Sequence, residues 1–280
     1  MSVQAETDLD LDRARQFVEV AKLRRNVRSF EPGRRIAPEG LQLICEAGRW
    51  GPSGANSQPW EFVVVDDPEH LAPVAKLFAE QADRLNRYCK GFPHVHKKHW
   101  VHEASAIILL FADPRWSEAY PKALEPADDG DYVDNRTNIF LVSVGAAAQN
   151  MHLAAAALGL STAWLSGGGE PTTAAALRGL LGVPEPLVPY ATIPIGWPHR
   201  RSEDRWRRPL EDVVHSNRLD VSRVRSAADI EQYVRKERAD SIYRDATTRE
   251  RLVGGGAAGG GVGGGGPLGG GGQDDTGGQP

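Results

Sequence analysis

The stretch Ile139-Phe-Leu-Val-Ser-Val-Gly-Ala-Ala-Ala-Gln-Asn-Met-His-Leu-Ala-Ala-Ala-Ala-Leu158 decides the architecture. It is apolar on almost every side of a helical wheel, which predicts a helix buried all round, and Gly159 ends it. Ser143, Gln149, Asn150 and His152 interrupt the run and make it a better core helix than a membrane span. Strand candidates lie on either side. Ala106–Phe111 is a continuous apolar run, and Ser161–Leu165 and Val188–Ile195 follow the helix, with a further helix predicted over Thr173–Leu181. Long helices alternating with short strands specify one α+β domain of three layers.

Working outward toward the N-terminus, Leu71–Tyr88 has helical period, and Glu61–Val65 is a short β-rich run closed by Asp66-Asp67-Pro68. Leu41–Trp50 is a helix opened by Pro38 and broken by Gly51-Pro52. Leu9–Leu23 places Leu11, Ala14, Phe17, Val18 and Ala21 on one helical face. Residues 90–100 read as an irregular, His-rich connection. Residues 113–135, rich in Pro, Asp and Gly, read as a long loop. Toward the C-terminus a last helix is expected near Ala227–Glu237, and more than half of the 31 glycines fall after residue 253, in a tail with almost nothing to bury.

The 280 residues carry 33 basic and 37 acidic side chains, a net charge of -4. That balance gives no general attraction for nucleic acid or an anionic membrane. Cys45 and Cys89 build no disulfide framework and no zinc spacing, so reduced thiols and a cytoplasmic setting are expected. The N-terminal stretch MSVQAETDLDLD lacks the basic and apolar regions of a secretory signal.

Four segments can carry chemistry. Arg24-Arg25-Asn26-Val27-Arg28 gathers three guanidinium groups at a helix end, which could hold a phosphate by forked hydrogen bonds or could be a solvated basic end. Pro52-Ser53-Gly54-Ala55-Asn56-Ser57-Gln58-Pro59-Trp60 is stiffened by two prolines and runs straight into a core strand. Its Gly and Ala let a flat ligand approach, and its polar side chains can bond ring edges. Ser166-Gly167-Gly168-Gly169 follows a strand and presents bare backbone, either as a simple turn or as donors to a cofactor ring. A late cluster, His199-Arg200-Arg201 through Arg205-Trp206-Arg207-Arg208, is a second basic patch or a loop balanced by Glu203 and Asp204.

In this order, and joined by Gly159-Leu160-Ser161-Thr162-Ala163-Trp164-Leu165 and by Gly196-Trp197-Pro198, the segments resemble the FMN-dependent nitroreductase family over about residues 10–216. The resemblance implies a three-layer fold with a central mixed sheet flanked by helices, in an intertwined homodimer. It implies FMN as cofactor and NAD(P)H as electron donor. It further implies ping-pong transfer of two electrons through flavin N5 to a small oxidised aromatic substrate of nitroarene or quinone type. Arg24, Arg25 and Arg28 then correspond to phosphate and ribityl contacts, with Asn26 among them. Ser53 and Asn56 correspond to flavin contacts, Leu165, Ser166 and Gly167 to the segment whose backbone faces N5, and Arg207 to a late phosphate contact. Ala55 and Tyr88 fall on the substrate side. No side-chain catalyst is implied, since the chemistry belongs to the flavin. Residues 1–9 are expected to be disordered, 217–253 to be an extension whose helix packs on the partner subunit, and 254–280 to be a disordered tail.

Two other activities share that fold: reductive dehalogenation of halogenated phenols, which the string Pro52-Ser53-Gly54-Ala55 resembles, and flavin fragmentation. A flavin-binding protein without turnover is a third reading. His94, His96, His99 and His102 form either a mobile cover over the site or a metal site, and a cover is expected, with no metal. A formal G-x-G-x-x-G within Gly261–Gly266 lacks the flanking strand and helix of a dinucleotide site.

Overall fold

The computed structural model of the chain describes residues 9–88, 98–123, 130–200 and 207–237. Asp10 caps the first helix, α1 (Leu11–Leu23), by accepting from the Arg13 N–H. Pro38 opens α2 (Pro38–Arg49), at a position where a helix needs no N–H. There follow β1 (Trp60–Val65), α3 (Pro68–Tyr88), β2 (Ala106–Ala112), α4 (Arg115–Ala123), α5 (Gly130–Ala157), β3 (Ser161–Thr162), α6 (Pro171–Leu181), β4 (Val188–Gly196) and α7 (Ala227–Gln232).

The strands form one sheet in the order β1-β2-β4-β3, each antiparallel to its neighbour. The parallel component of the expected mixed sheet is an isolated bridge between Asn26 and Thr162. Every residue of β2 is buried, and its alternate side chains feed two cores. Ile108 and Leu110 pack with Leu41 and Ile44 of α2 and with Val144 and Met151 of α5. Ile107, Leu109 and Phe111 pack on the other face with Val74 and Phe78 of α3 and Leu177 of α6. Burial on both faces is why β2 reads as an unbroken apolar run rather than an alternating one. The result is three layers, α2/α5, sheet, α3/α6.

Three expectations change. Residues 113–135 contain α4 and the first turns of α5 instead of a continuous loop. Asp113 and Pro114 start a helix here: the Asp113 carboxylate accepts from the Arg115 N–H at 3.0 Å, and the Ser117 hydroxyl donates to the Pro114 carbonyl at 2.7 Å. The strand expected over Ser161–Leu165 shortens to Ser161–Thr162. Ala163 donates to the carbonyl of Pro194, which has no N–H to return, and pairing resumes only at Leu165 with Thr192. The last helix ends at Gln232 and continues as one wider π turn over Tyr233–Glu237.

The C-terminus of α5 is closed as expected by Gly159, at φ +76°. The Gly159 N–H reaches the Ala156 carbonyl and the Leu160 N–H reaches that of Ala155, a Schellman motif. Burial of α5 on every side is not met within one chain. Val142 is 72% exposed and Leu141 45%, and α1, carrying Phe17 and Val18, has no buried residue.

The chain divides into two compact units, Met1–Ser202 and Glu203–Pro280, and the expected boundary at residue 216 falls inside the second. In that second unit Arg208 donates to the Asp212 carbonyl, Arg223 pairs with Asp220 at 3.0 Å, and a Ser226/Asp229 capping box opens α7.

Candidate active site

The basic segment leaves α1 and is fastened at once to the far end of the sheet. Val27 donates its N–H to the Thr162 carbonyl at 2.9 Å, and the Asn26 side-chain oxygen accepts from the Trp164 N–H at 3.3 Å. The Phe30 N–H donates to the Glu103 carboxylate at 2.9 Å, which fixes the end of the motif and occupies a carboxylate otherwise near the histidine run. Arg25 turns back to the carbonyls of Lys22 and Arg24 and closes the helix end. Arg24 and Arg25 are half-buried and Arg28 is exposed.

Beneath this junction lies His152 of α5, 1% exposed. Its Nδ1 is 2.7 Å from the Thr162 hydroxyl, and its ring stacks on Trp164 with centroids 5.3 Å apart. Burial, reinforced by the positive charge of Arg24, lowers its pKa to about 4. The imidazole is therefore neutral at neutral pH.

Leu165 uses both backbone groups on Thr192, at 2.9 and 3.0 Å, and buries its side chain, so its contribution is to place Ser166. Gly167–Gly169 then make a 3₁₀ turn. Gln81 of α3 donates to the Gly167 carbonyl at 2.6 Å, and a Cβ on Gly167 would lie 2.4 Å from the Gln81 amide atoms. The bareness of this turn is thus set by a buried glutamine. Lys98, 8% exposed, donates in turn to the Gln81 oxygen. Burial pushes the Lys98 pKa down; the charge of Glu170 opposes that shift and Arg84 adds to it. Arg84 and Glu170 themselves pair at 2.9 Å. Sequence reasoning names Gln81 nowhere, because a glutamine at a helical position carries no signal of the turn it will meet.

The loop before β1 docks on α5. The Gly54 N–H donates to the Ser143 hydroxyl at 3.1 Å, which itself donates to the Ile139 carbonyl at 2.7 Å. The polar interruption at Ser143 therefore has a task, as anchor of this loop. A Cβ on Gly54 would sit 2.3 Å from Ile139. Ala55, Asn56 and Gln58 all hold left-handed backbone, at φ 52°, 53° and 45°, and the Ser53 hydroxyl accepts from the Gln58 N–H across the turn. A cavity of about 280 Å³ opens beside the turn, between Gly54 and Ala55 of the loop, Trp116 of α4, and Arg136, Ile139 and Phe140 of α5.

The structure thus brings Arg24, Arg25, Asn26 and Arg28 next to the segment leading to Ser166 and Gly167. Ser53, Ala55 and Asn56 belong elsewhere: their anchor Ser143 precedes His152 by nine residues, about 14 Å along α5. Tyr88 ends α3 and is 81% exposed. Arg207 belongs to the second unit. His94 and His96 lie outside the described residues. His99 is 3.3 Å from Asp83, and among the described residues no group of three His, Cys, Asp or Glu is placed to hold a metal.

Comparison with known proteins bears on this arrangement. The chain is 30% identical over 175 residues, 62% of its length and 81% of the relative's, to an Archaeoglobus fulgidus protein named as an NADH dehydrogenase/NAD(P)H nitroreductase. It is 27% identical over 215 residues, 72% of its length and 68% of the relative's, to human iodotyrosine deiodinase 1. The crystal structure of an NADPH:FMN oxidoreductase from Vibrio harveyi, complexed with NAD+, superimposes with a TM-score of 0.56 at 24% identity, covering 86% of this chain and 92% of that one, a likeness of fold. The model of the nitroreductase family matches residues 21–197, the span that holds the basic junction, the left-handed loop and the glycine turn, and the chain belongs to that family.

Proposed function

We propose that the protein is an FMN-dependent oxidoreductase that passes two electrons from NAD(P)H to a small oxidised aromatic substrate of nitroarene or quinone type. The observation that carries this reading is the bonding of Val27 to Thr162 and of Asn26 to Trp164, which joins the arginine-rich segment to the stretch of chain that enters the glycine turn three residues after Trp164. FMN fits the residues present. Arg24, Arg25 and Arg28 supply forked cationic donors for a phosphate. The first N–H groups of a 3₁₀ turn have no partner inside the turn and suit the polar edge of a flat ring. Bound FMN supplies the two-electron chemistry, so no side-chain nucleophile or acid is required.

The chain's own residues then bind and orient. Ser166 and Gly167 hold the backbone against the reacting edge, Arg28 adds positive charge, and Ser53 and Asn56 make further cofactor contacts. Ala55 and Tyr88 border the substrate, which takes the place vacated by the nicotinamide. Because the loop and the basic junction sit at separate positions on α5, and because Leu141, Val142 and α1 leave apolar surface open, the working enzyme is a homodimer.

Extraction and chromatography of the yellow protein should give FMN and not FAD. NADPH or NADH should bleach absorbance near 450 nm, and a nitroarene should restore it. A colourless protein that FMN cannot reconstitute overturns the reading. A second reading, reductive dehalogenation, is favoured by the match to iodotyrosine deiodinase over 72% of this chain; halide release from an iodophenol under the same conditions distinguishes it.

A further inference from the structure

Among the described residues that line the cavity beside the left-handed loop, one is charged, Arg136. Arg136 is half-buried and has no hydrogen-bond or ion-pair partner among the described residues. The other walls are Trp116, Ile139 and Phe140, with Gly54 and Ala55 giving backbone and Ser57, Ser117 and Ser143 adding small hydroxyl side chains. Phe140 is itself buried and held edge-on to Tyr190 at 5.3 Å, so that wall is rigid. A guanidinium in a lining with three aromatic or aliphatic side chains, and with no carboxylate partner among the described residues, is suited to a planar anion, which it can bind through two parallel hydrogen bonds. Size narrows the class further. About 280 Å³ lies at the small end of ligand pockets, roughly 300–1,000 Å³, enough for one ring with a short substituent and too little for a dinucleotide.

We propose that this cavity is the substrate subsite for a monocyclic aromatic acid. The carboxylate lies on Arg136, the ring lies between Trp116 and Phe140, and the opposite edge points toward Ala55. Calling the ligand the substrate rests on the oxidoreductase reading above; its binding does not.

The test uses benzoate and its neutral counterpart benzyl alcohol, titrated calorimetrically into the full chain, with and without saturating FMN. Arg136→Gln is the first variant, since glutamine is a good helix former. The expected result is that benzoate binds the wild type more tightly than benzyl alcohol does, and that R136Q weakens benzoate roughly ten- to hundred-fold while leaving benzyl alcohol unchanged. Trp116→Ala, whose site on α4 is separate from α5, should weaken both ligands and carries the test if R136Q melts early. With FMN bound, R136Q should raise KM for 4-nitrobenzoate and leave KM for 4-nitrobenzyl alcohol unchanged. Equal affinity of the wild type for benzoate and benzyl alcohol, or benzoate binding indifferent to both variants, overturns the proposal. A protein that takes no FMN but binds benzoate through Arg136 overturns the oxidoreductase reading and leaves the site standing.

Discussion

Gln81 donates to the Gly167 carbonyl at 2.6 Å, joining the middle of α3 to a turn far along the chain, and it fills the space a side chain at 167 would need. Gly167→Ala should therefore destabilise the fold by about 1–3 kcal/mol, the range for overpacking a filled site. If the glutamine is the obstacle, the same substitution should cost less than about 1 kcal/mol in a Gln81→Ala background, a coupling that a double-mutant cycle by urea unfolding would read. Equal costs in both backgrounds would mean that something other than Gln81 demands the glycine.

His152 makes a pH prediction. Its folded pKa of about 4 lies below the ordinary 6.5 of the unfolded chain, so between those values the unfolded state binds the extra proton and the folded state does not. The stability associated with neutral His152 is complete above pH 6.5 and is lost as pH falls to about 4, by about 3 kcal/mol at most. A variant such as His152→Gln, which keeps a partner for the Thr162 hydroxyl, should be less stable at pH 7 and should show a flatter profile from pH 7 to 4. An equally steep decline in H152Q would assign the acid sensitivity to other groups.

These two sites also show where sequence stops being informative. The apolar run of β2 specifies a doubly covered strand whatever its neighbours are, and Gly159 announces the end of α5, because both are local demands of backbone and burial. Asp113-Pro114 is ambiguous: the same pair breaks a helix or starts one, and the choice depends on the residues that follow. The shortening of β3 depends on Pro194, a residue of the opposite strand. Arg24 through Arg28 stand out by charge density alone. The Lys98–Gln81–Gly167 relay does not, since each of its residues is ordinary until three distant segments meet. His152 reads as a blemish in an apolar helix; its meaning comes from Thr162, Trp164 and Arg24 around it.

The loop before β1 stores strain that can be measured. An alanine in left-handed backbone is unfavourable by about 1–2 kcal/mol, whereas asparagine tolerates that region better. Ala55→Gly should raise stability by about 0.5–1 kcal/mol after the extra freedom glycine gives the unfolded chain, and Asn56→Gly should raise it less. If the strain serves ligand positioning, A55G should also weaken substrate binding while it raises Tm. A melting temperature lowered by A55G and unchanged by N56G would show that the methyl of Ala55 makes packing contacts worth more than the strain.

The open face of α5 tests the oligomeric state. Val142 is 72% exposed and Leu141 45%, although both sit in a helix apolar enough to be buried all round, and α1 leaves Phe17 and Val18 uncovered as well. An isolated exposed apolar residue is ordinary, but several on neighbouring helices form a patch that a monomer seldom leaves in water. Burying one valine contributes about 1.5–3 kcal/mol, and a twofold interface counts each substitution twice. Val142→Glu should therefore remove both valines and set two carboxylates against apolar surface, shifting a dimer to monomer at micromolar concentration in sedimentation velocity. Because Val142 points away from both cores of its own chain, far-ultraviolet circular dichroism of the variant should keep its helical signal. A wild-type protein that sediments as a monomer, or a V142E variant that remains as tightly dimeric as the wild type, would place the interface elsewhere.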